Sequence, residues 1–315
     1  MADVCVVGSF MMDLVVRAPR RPTSGETLFG HSFEQFRGGK GFNQAVAAAR
    51  AGARTAMVGR LGDDAWGGDF RAALGREGID ATNVGTDAHV GTGVATPLVE
   101  DDGSNSIVVV PRANLEITPQ HLASVDLLAT SSVVLMQLEL PVTTVVAAAR
   151  AAHAAGATVI LNPAPAVCDL SAFRGLVDIL VPNQAEATLL TGIDCESDIS
   201  RVGEAADALR TMTGAAAVVI TLGAAGVLVV DDAGHQHLPS HVVSCIDTVG
   251  AGDAFCGAMA AALAARAPLI DAVRRGVAAG ALAVTRAGAE PSMPTSAEVD
   301  ALLGADVLAS SLRTA

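Results

Sequence analysis

The sequence predicts an α/β fold with a mainly parallel sheet, helices on both faces and a small additional β-sheet. Short runs of β-branched residues alternate with alanine-rich helical segments along most of the 315-residue chain, which is typical of a parallel sheet with crossover helices. Two segments, 11–36 and 93–110, contain strand-like pieces but no helix. The core must be mainly aliphatic, because 51% of the residues are hydrophobic and only 3% are aromatic.

The predicted elements follow one another in a regular order. Strands are expected at residues 4–7, 55–58, 133–136, 158–161, 178–181, 217–221 and 227–230. Helices are expected at 42–51, 141–155, 201–213 and 255–266. Segment 93–110 is predicted to be a hairpin that turns at Asp101-Asp102-Gly103. We therefore predict an α/β domain of residues 1–10, 37–92 and 111–315 and an accessory β-sheet of 11–36 and 93–110, with loose surface hairpins as the alternative.

Composition and charge exclude several classes of protein. The net charge of −13 argues against a nucleic-acid partner, because phosphate backbones are bound by clustered cations. The five cysteines show no metal-binding spacing and are expected to be mostly buried thiols; they are Cys5, Cys168, Cys195, Cys245 and Cys256. No signal peptide and no stretch of membrane-spanning length is visible, so a cytosolic location with no membrane partner is expected.

The most informative segment is 246–255, where small residues and a carboxylate begin an apolar helix. Gly250, Ala251 and Gly252 allow a ligand to approach closely, and the free amides of the first helical turn favour an anion such as a phosphoryl group. Asp253 stands beside this anion site, where it can accept a proton from an attacking hydroxyl. The alternative is that Asp253 only caps the helix.

Lys40 is the only lysine in a chain with 20 Lys and Arg residues. It stands between glycines at the start of a predicted helix. A compact ammonium fits a tight phosphate or hydroxyl site that a planar guanidinium cannot enter. This indicates a functional role for Lys40, with chance retention of one lysine as the alternative.

Two motifs, in this order, resemble the signatures of the ribokinase (PfkB) family of carbohydrate kinases. Residues 38–45, GGKGFNQA, match the first signature, and residues 247–253, DTVGAGD, match the second. The resemblance runs from about residue 4 to residue 303. It implies a ribokinase-like fold, a β-lid made by the accessory sheet, homodimers that pair through the lid, and phosphoryl transfer from ATP to a sugar with Asp253 as the base.

The same resemblance implies two sets of ligand contacts. The implied sugar contacts are Met11, Asp13, Gly39, Lys40, Asn43, Glu139 and Asp253. The implied nucleotide contacts are Asn183, Thr221, Gly223, Ala224, Ala225, Gly226 and Gly252. Carboxylates suit sugar sites because they accept hydrogen bonds from hydroxyls, although strand-end carboxylates such as Asp13 and Glu139 are also common as helix caps.

Two cations are implied in the same way. Glu186, in the family's N-x-x-E pattern, would hold Mg²⁺ through water, because this ion keeps several waters and needs few protein ligands. A monovalent cation, K⁺, would be held largely by backbone oxygens; the residues carried over by position are Asp247, Val249, Ala283, Arg286, Gly288 and Ser292.

Three departures from the family pattern affect the choice of substrate. Met11 replaces an asparagine that can hydrogen-bond a hydroxyl, Phe42 replaces an alanine, and Arg112 stands where glycine is common. Phe42 is expected to pack under the lid, with stacking on the sugar as the alternative. The resemblance implies an ATP-dependent pentose kinase acting on the primary 5-hydroxyl of ribose, with deoxyribose, another sugar or a nucleoside as alternatives.

Two other functional classes are disfavoured. A Rossmann-type dehydrogenase lacks support, because residues 7–12 after the first strand do not contain a G-x-G-x-x-G turn. A sugar-binding protein without catalytic activity is also disfavoured, because Lys40, Glu186 and Asp253 are all present.

Overall fold

A large sheet runs through the computed structural model of the chain, which describes residues 2–123, 125–166 and 169–313. In chain order the strands are β1 (Val4–Val7), β2 (Met11–Arg17), β3 (Ser32–Gly38), β4 (Thr55–Gly62), β5 (Asp80–Asp87), β6 (Gly93–Val99), β7 (Asn105–Val110), β8 (Val133–Met136), β9 (Thr158–Leu161), β10 (Ile179–Leu180), β11 (Ala217–Thr221), β12 (Val227–Asp231) and β13 (Gly234–Leu238). Within the described residues, nine strands form one sheet in the order β13-β12-β11-β10-β9-β8-β1-β4-β5. All neighbours from β11 to β5 are parallel, whereas β12 and β13 are antiparallel, which confirms the predicted mainly parallel sheet.

Helices cover both faces of this sheet. They are α1 (Lys40–Arg50), α2 (Ala65–Arg76), α3 (Pro119–Leu122), α4 (Leu127–Thr130), α5 (Val142–Ala154), α6 (Gln184–Thr191), α7 (Val202–Thr213), α8 (Ala251–Ala264), α9 (Leu269–Ala283) and α10 (Ser296–Arg313). Because successive side chains of a strand point to opposite faces, Val4 and Val6 of β1 lie in a core with α1, α8 and α9. Cys5 and Val7 lie in a second core with α5 and α7.

Helix α8 is internal, as its apolar sequence predicts. Nearly every residue from the second turn to Ala262 is buried, because α8 packs between α1 and α9. Gly257 makes the close approach to α1 possible, since a Cβ at this position would lie 2.5 Å from the Cβ of Ala47. The helix begins at Ala251, four residues before the predicted start, so Asp253 lies in its first turn.

A second, smaller sheet is built from the two segments that break the β/α alternation. Its strand order is β3-β2-β6-β7, with β2 and β6 parallel and the other pairs antiparallel. The predicted hairpin is present, and its turn is closed by a hydrogen bond from Gly103 N to Glu100 O. This confirms the small sheet; the domain boundaries themselves remain a prediction.

Phe42 packs inside the protein. Its ring is fully buried and contacts Phe70 and Phe10 at ring-centroid distances of 4.9 and 6.1 Å. The expectation of a packing role is therefore met, and a ring in this position cannot stack on a sugar.

Three cysteines, Cys5, Cys195 and Cys256, are buried free thiols, whereas Cys245 is free and exposed. Cys168 lies outside the described residues. None of the helices in the described ranges combines the length and hydrophobicity needed to span a bilayer.

Candidate active site

Asp253 is held by α1 and does not cap its own helix. It is only 6% exposed. Its Oδ2 accepts a hydrogen bond from Asn43 Nδ2 at 3.0 Å, and its Oδ1 accepts one from Gln44 Nε2 at 2.9 Å. The helix start is formed by Gly250 in the left-handed conformation, φ 79°, with no side-chain cap. The helix-cap alternative for Asp253 is therefore wrong, and the carboxylate is oriented by a neighbouring helix.

A glycine turn places Lys40 at the start of α1, close to these residues. Gly39 has φ 89°, and a Cβ there would lie 2.7 Å from Met11 N, so only glycine fits. Burial lowers the pKa of Lys40, but the nearby carboxylates of Asp253, Glu139 and Glu186 raise it further, and the net shift is upward. Lys40 therefore keeps its charge in the site.

Asp13 stands among other carboxylates in a partly buried position. Burial, followed by the negative charges of Glu139 and Asp253, raises its pKa to about 7. Gly38 makes room for it, because a Cβ there would lie 2.4 Å from Asp13 Oδ2. The structure thus brings Asp13 close to Glu139 and Asp253, the two carboxylates that also act on Lys40, and the pKa of Asp13 lies near neutral pH.

Glu139 lies near the carboxylate of Asp13 and also makes a structural hydrogen bond to the start of α1. Its Oε2 accepts hydrogen bonds from Lys40 N, at 2.9 Å, and from the hydroxyl of Ser9. It therefore caps the first amide of α1 from a distant strand end, which is the alternative that the sequence left open for this residue. Burial is the main cause of its raised pKa, and Lys40 opposes the shift. Sequence analysis did not single out Ser9.

A cavity of about 750 Å³ reaches Asp253. The predicted residues that line it are Asn183, Glu186, Thr221, Gly223, Ala224, Gly226, Gly250, Ala251, Gly252 and Asp253. Two loops of the cavity wall, one containing Asn183 and one containing Thr221, are joined by an isolated parallel bridge between these residues. Ala225 does not line the cavity; its carbonyl oxygen lies 2.7 Å from His237 Nε2. Lys40 does line it, so the cavity reaches the carboxylate cluster.

The N-x-x-E pattern forms a capping box at the start of α6. Asn183 Oδ1 accepts from Glu186 N at 2.8 Å, and Glu186 Oε2 accepts from Asn183 N at 2.9 Å. Burial raises the pKa of Glu186 although the Asn183 hydrogen bond opposes the shift. Across the described residues, no group of three or more His, Cys, Asp or Glu side chains could hold a metal ion. Glu186 would thus have to act on a metal largely through water.

The rim of the cavity contains residues that sequence analysis missed. Besides the predicted ones, it is lined by Ser240, His241, Val242, Val243, Cys245 and Thr248. Val242 is fully exposed. The sequence does contain one signal for this rim: Val242 and Val243 are an apolar pair that belongs to no predicted strand.

Two of the predicted monovalent-cation residues, Val249 and Gly288, contact Asp247. Its Oδ1 accepts from Val249 N at 3.0 Å, and its Oδ2 accepts from Gly288 N at 2.9 Å. The carbonyl oxygen of Ala283 accepts from Arg286 N at 3.1 Å. Ser292 donates from its hydroxyl to a carbonyl within the same loop, that of Ala289, at 2.7 Å.

Two arginines hold the loop 283–293 against the rest of the protein through Glu290, which is 8% exposed. Arg37 of β3 donates to the Glu290 carboxylate at 2.8 Å and to Asp69 at 2.9 Å. Arg50 donates to the backbone carbonyls of Glu290 and Met293. The loop is therefore connected to the small sheet and to α1.

The other two departures from the family pattern have physical consequences. Met11 is 3% exposed, and its sulfur lies 3.8 Å from Asn114 Nδ2. Arg112 has φ 50°, a conformation that costs a residue with a side chain about 1–2 kcal/mol, which explains why glycine is common there. Its guanidinium donates to Thr92 O at 3.1 Å, and this contact offsets part of the cost.

Comparison with known proteins decides the family. Residues 1–296 match the pfkB family of carbohydrate kinases. The chain belongs to that family. It is 39% identical over 294 residues to the ribokinase of Haemophilus influenzae, covering 93% of this chain and 95% of the relative. It is 33% identical over 295 residues to the deoxyribokinase of Salmonella typhi, covering 93% and 96%.

Solved structures agree with this assignment. The structure of Arabidopsis thaliana ribokinase complexed with ribose and ATP superimposes on this carbohydrate kinase with a TM-score of 0.87 at 31% identity, covering 96% of this chain and 98% of the other. The family, the ribokinase-like fold and the ATP-dependent carbohydrate kinase predicted from the sequence are thus confirmed.

Proposed function

We propose that this carbohydrate kinase is a ribokinase, which transfers the γ-phosphoryl group of ATP to the 5-hydroxyl of D-ribose. The observation that carries the proposal is that Asp253 lines the same cavity as Lys40 and the loops around Asn183 and Thr221. A phosphoryl donor in the cavity and a hydroxyl beside the carboxylate cluster would therefore meet at this residue. The similarity to curated ribokinases and to a ribokinase with bound ribose and ATP supports the choice of substrates.

In the proposed reaction, the side chains mainly position groups and neutralise charge. Asp13, Asn43 and Lys40 would hold the sugar hydroxyls. The 5-hydroxyl oxygen forms a bond to the γ-phosphorus while the bond to the β,γ-bridging oxygen breaks and ADP leaves. Asp253 accepts the hydroxyl proton, and the amides of residues 250–252 stabilise charge on the transferred group.

The residues also suit the two implied cations. Mg²⁺ would neutralise the phosphates, and the Glu186 carboxylate, which lines the cavity, would hold its water shell. Asp247 and the backbone carbonyls of 283–292 would supply hard oxygen ligands of the kind that K⁺ takes. Asp247 would contribute the negative charge, and its contact with Gly288 would link the cation loop to the segment just before the anion site.

We also propose that two copies pair through the small sheet. Strand β7 exposes four consecutive hydrophobic residues, Ile107, Val108, Val109 and Val110, on an edge strand. An exposed apolar edge strand invites pairing with another chain, and a second copy would cover it. The cytosolic location remains a prediction from the sequence.

Deoxyribose is the second candidate substrate. Met11 presents a thioether, not an amide, at a position next to the sugar carboxylates, and its sulfur already contacts Asn114. A site that hydrogen-bonds a hydroxyl rejects the deoxy analogue strongly, whereas an apolar wall rejects it much less. We therefore expect measurable turnover of 2-deoxy-D-ribose beside D-ribose, with a kcat/KM ratio below roughly a thousandfold.

A sugar panel tests both candidates. ADP release is measured with ATP and Mg²⁺ in the presence of D-ribose, 2-deoxy-D-ribose, other pentoses, hexoses and nucleosides, with and without K⁺. Turnover that is highest for D-ribose supports the proposal. Higher turnover for another sugar would replace the substrate, and binding of a sugar by calorimetry without any ADP release would indicate a binding protein.

A further inference from the structure

A continuous set of buried side-chain amides leads from the large sheet to Asp253. Its members are Asn162, just after β9, Gln44 of α1 and Gln137, just after β8; they are 9%, 0% and 1% exposed. Gln44 lies within the 38–45 motif, but none of the three was predicted to be a site residue. Burying amides is costly unless they are hydrogen-bonded, so their partners define what they do.

The orientation of these amides is fixed by a backbone carbonyl. Asn162 Nδ2 donates to Val181 O at 2.8 Å, and a carbonyl oxygen can only accept. Asn162 must therefore present its oxygen to Gln44, whose Nε2 donates to it at 3.1 Å. An amide nitrogen has two hydrogens, and the second hydrogen of Gln44 Nε2 is donated to Asp253 Oδ1 at 2.9 Å.

Gln137 binds the opposite end of the Gln44 amide, although its own buried Oε1 has no hydrogen-bond partner among the described residues. Its Nε2 donates to Gln44 Oε1 at 2.5 Å. If the Gln44 amide turned over, donor would face donor at Gln137, and oxygen would face oxygen at both Asn162 and Asp253. Because Asn162 and Asp253 both present oxygens to Gln44 Nε2, Gln44 is held as a donor to Asp253, while Asn43 supplies the second donor on Oδ2.

We propose that Gln44 is a positioning residue for phosphoryl transfer, which holds the Asp253 carboxylate in the orientation from which it accepts the hydroxyl proton. This inference rests on the proposed function, in which Asp253 is the base. A neutral amide can orient a carboxylate without neutralising it, whereas an arginine partner would make it a much weaker base. The charged groups around Asp253 are Lys40, Asp13, Glu139 and Glu186, and each is shared with the ligand sites.

The test is a double-mutant cycle of Gln44→Met and Asp253→Asn, with kcat measured at saturating ribose and ATP. Methionine has a similar length to glutamine but donates no hydrogen bond. We expect Gln44→Met to lower kcat by about 10- to 100-fold, the effect of losing one hydrogen bond to a charged group, with the Kd of ATP changed less than about twofold. In the Asp253→Asn background, the same substitution should change kcat by less than about twofold, because Gln44 acts through the lost carboxylate.

Two further variants keep the result interpretable. Gln137→Met removes the hydrogen bond to Gln44 Oε1 but leaves the Gln44 amide in place, and should lower kcat about three- to tenfold. This variant replaces Gln44→Met in the test if Gln44→Met does not fold. Thr213→Val, which alters a fully buried polar side chain of α7 remote from the site, controls for loss of stability and should leave kcat unchanged.

The outcomes separate the inference from the function on which it rests. An equal loss of kcat from Gln44→Met in both backgrounds, or no loss in either, would overturn the positioning role while leaving Asp253 as the base. Full turnover by Asp253→Asn alone would overturn the proposed base, whatever the effect of Gln44→Met.

Discussion

The proposed sugar site and the proposed nucleotide site, which meet at Asp253, are lined by different kinds of residue. On the proposed sugar side, recognition rests on charged side chains: Glu139 raises the pKa of Asp13 and also acts on the only lysine, Lys40. On the proposed nucleotide side, the cavity of about 750 Å³ is lined largely by glycines, alanines and other small or apolar residues.

This difference predicts how each side responds to substitution. A cluster of like charges in a partly buried place depends on every member, because removing or moving one changes the pKa of the others. A surface made of backbone amides loses little when a side chain changes. Single substitutions should therefore have large effects on the sugar side and small effects on the nucleotide side.

The largest effect is expected from Asp253→Asn, at the junction of the two sides. We expect kcat to fall by about 10²- to 10⁴-fold, the usual contribution of a positioned base, with the Kd of ATP nearly unchanged by calorimetry. Asparagine keeps the shape and one acceptor oxygen, but its amide nitrogen would face the donor of either Asn43 or Gln44. Thermal unfolding should show only a small loss of stability; failure mainly by unfolding would contradict the catalytic role.

Lys40→Arg should have the next largest effect. Gly41 leaves no room to shift the turn, because a Cβ there would lie 2.3 Å from Ser9 N, and the wide guanidinium does not fit a site built for an ammonium. We expect kcat/KM to fall about 10- to 100-fold with the fold retained. The exposed exchange Arg76→Lys is the matched control and should have no effect; wild-type kcat/KM for Lys40→Arg would make the single lysine a coincidence.

Sugar affinity should depend on pH in a way that nucleotide affinity does not. The pKa of Asp13 is about 7, and only its carboxylate form accepts hydrogen bonds from two hydroxyls. Below pH 7 the Kd of ribose should therefore rise, approaching tenfold per pH unit. Calorimetry from pH 5.5 to 8.5 measures this, with ATP binding as the internal comparison.

Asp13→Asn is the control for that pH dependence. It should weaken ribose binding above pH 7, approach the wild-type affinity at low pH, and abolish the change near pH 7. Because the folded pKa lies above the unfolded value, ionising Asp13 costs stability as pH rises from about 4 to 7. Asp13→Asn should thus be more stable than the wild type at pH 8, by roughly 1–3 kcal/mol, and should lose this advantage below pH 4. A flat ribose Kd in the wild type would refute the assignment.

The smallest effect is expected from Val242→Ala on the nucleotide side. Val242 is fully exposed at the rim of the cavity, where an adenine ring would cover it. Removing two methyl groups should raise the KM for ATP about two- to fivefold and leave the Kd of ribose unchanged. A loss as large as that of Lys40→Arg would show that the two sides do not differ in the way proposed here.

The sequence by itself determined the α/β class, the order of most strands and helices, the small second sheet and the place of Asp253 at a helix start. These features depend on local periodicity and on short motifs whose residues are neighbours in the chain. Even there the boundaries shifted: β10 is only Ile179–Leu180, and α8 begins at Ala251.

Only the tertiary structure decided what individual polar side chains do. Gln44 and Asp253 are 209 residues apart in the chain, and Glu139 and Lys40 are 99 apart, so no local pattern reports their contact. The direction of the Gln44 amide depends on the carbonyl of Val181, three hydrogen bonds away from Asp253. The sequence specifies which donors and acceptors exist. Buried polar groups must be hydrogen-bonded, but their partners are determined only when distant strands and helices pack together.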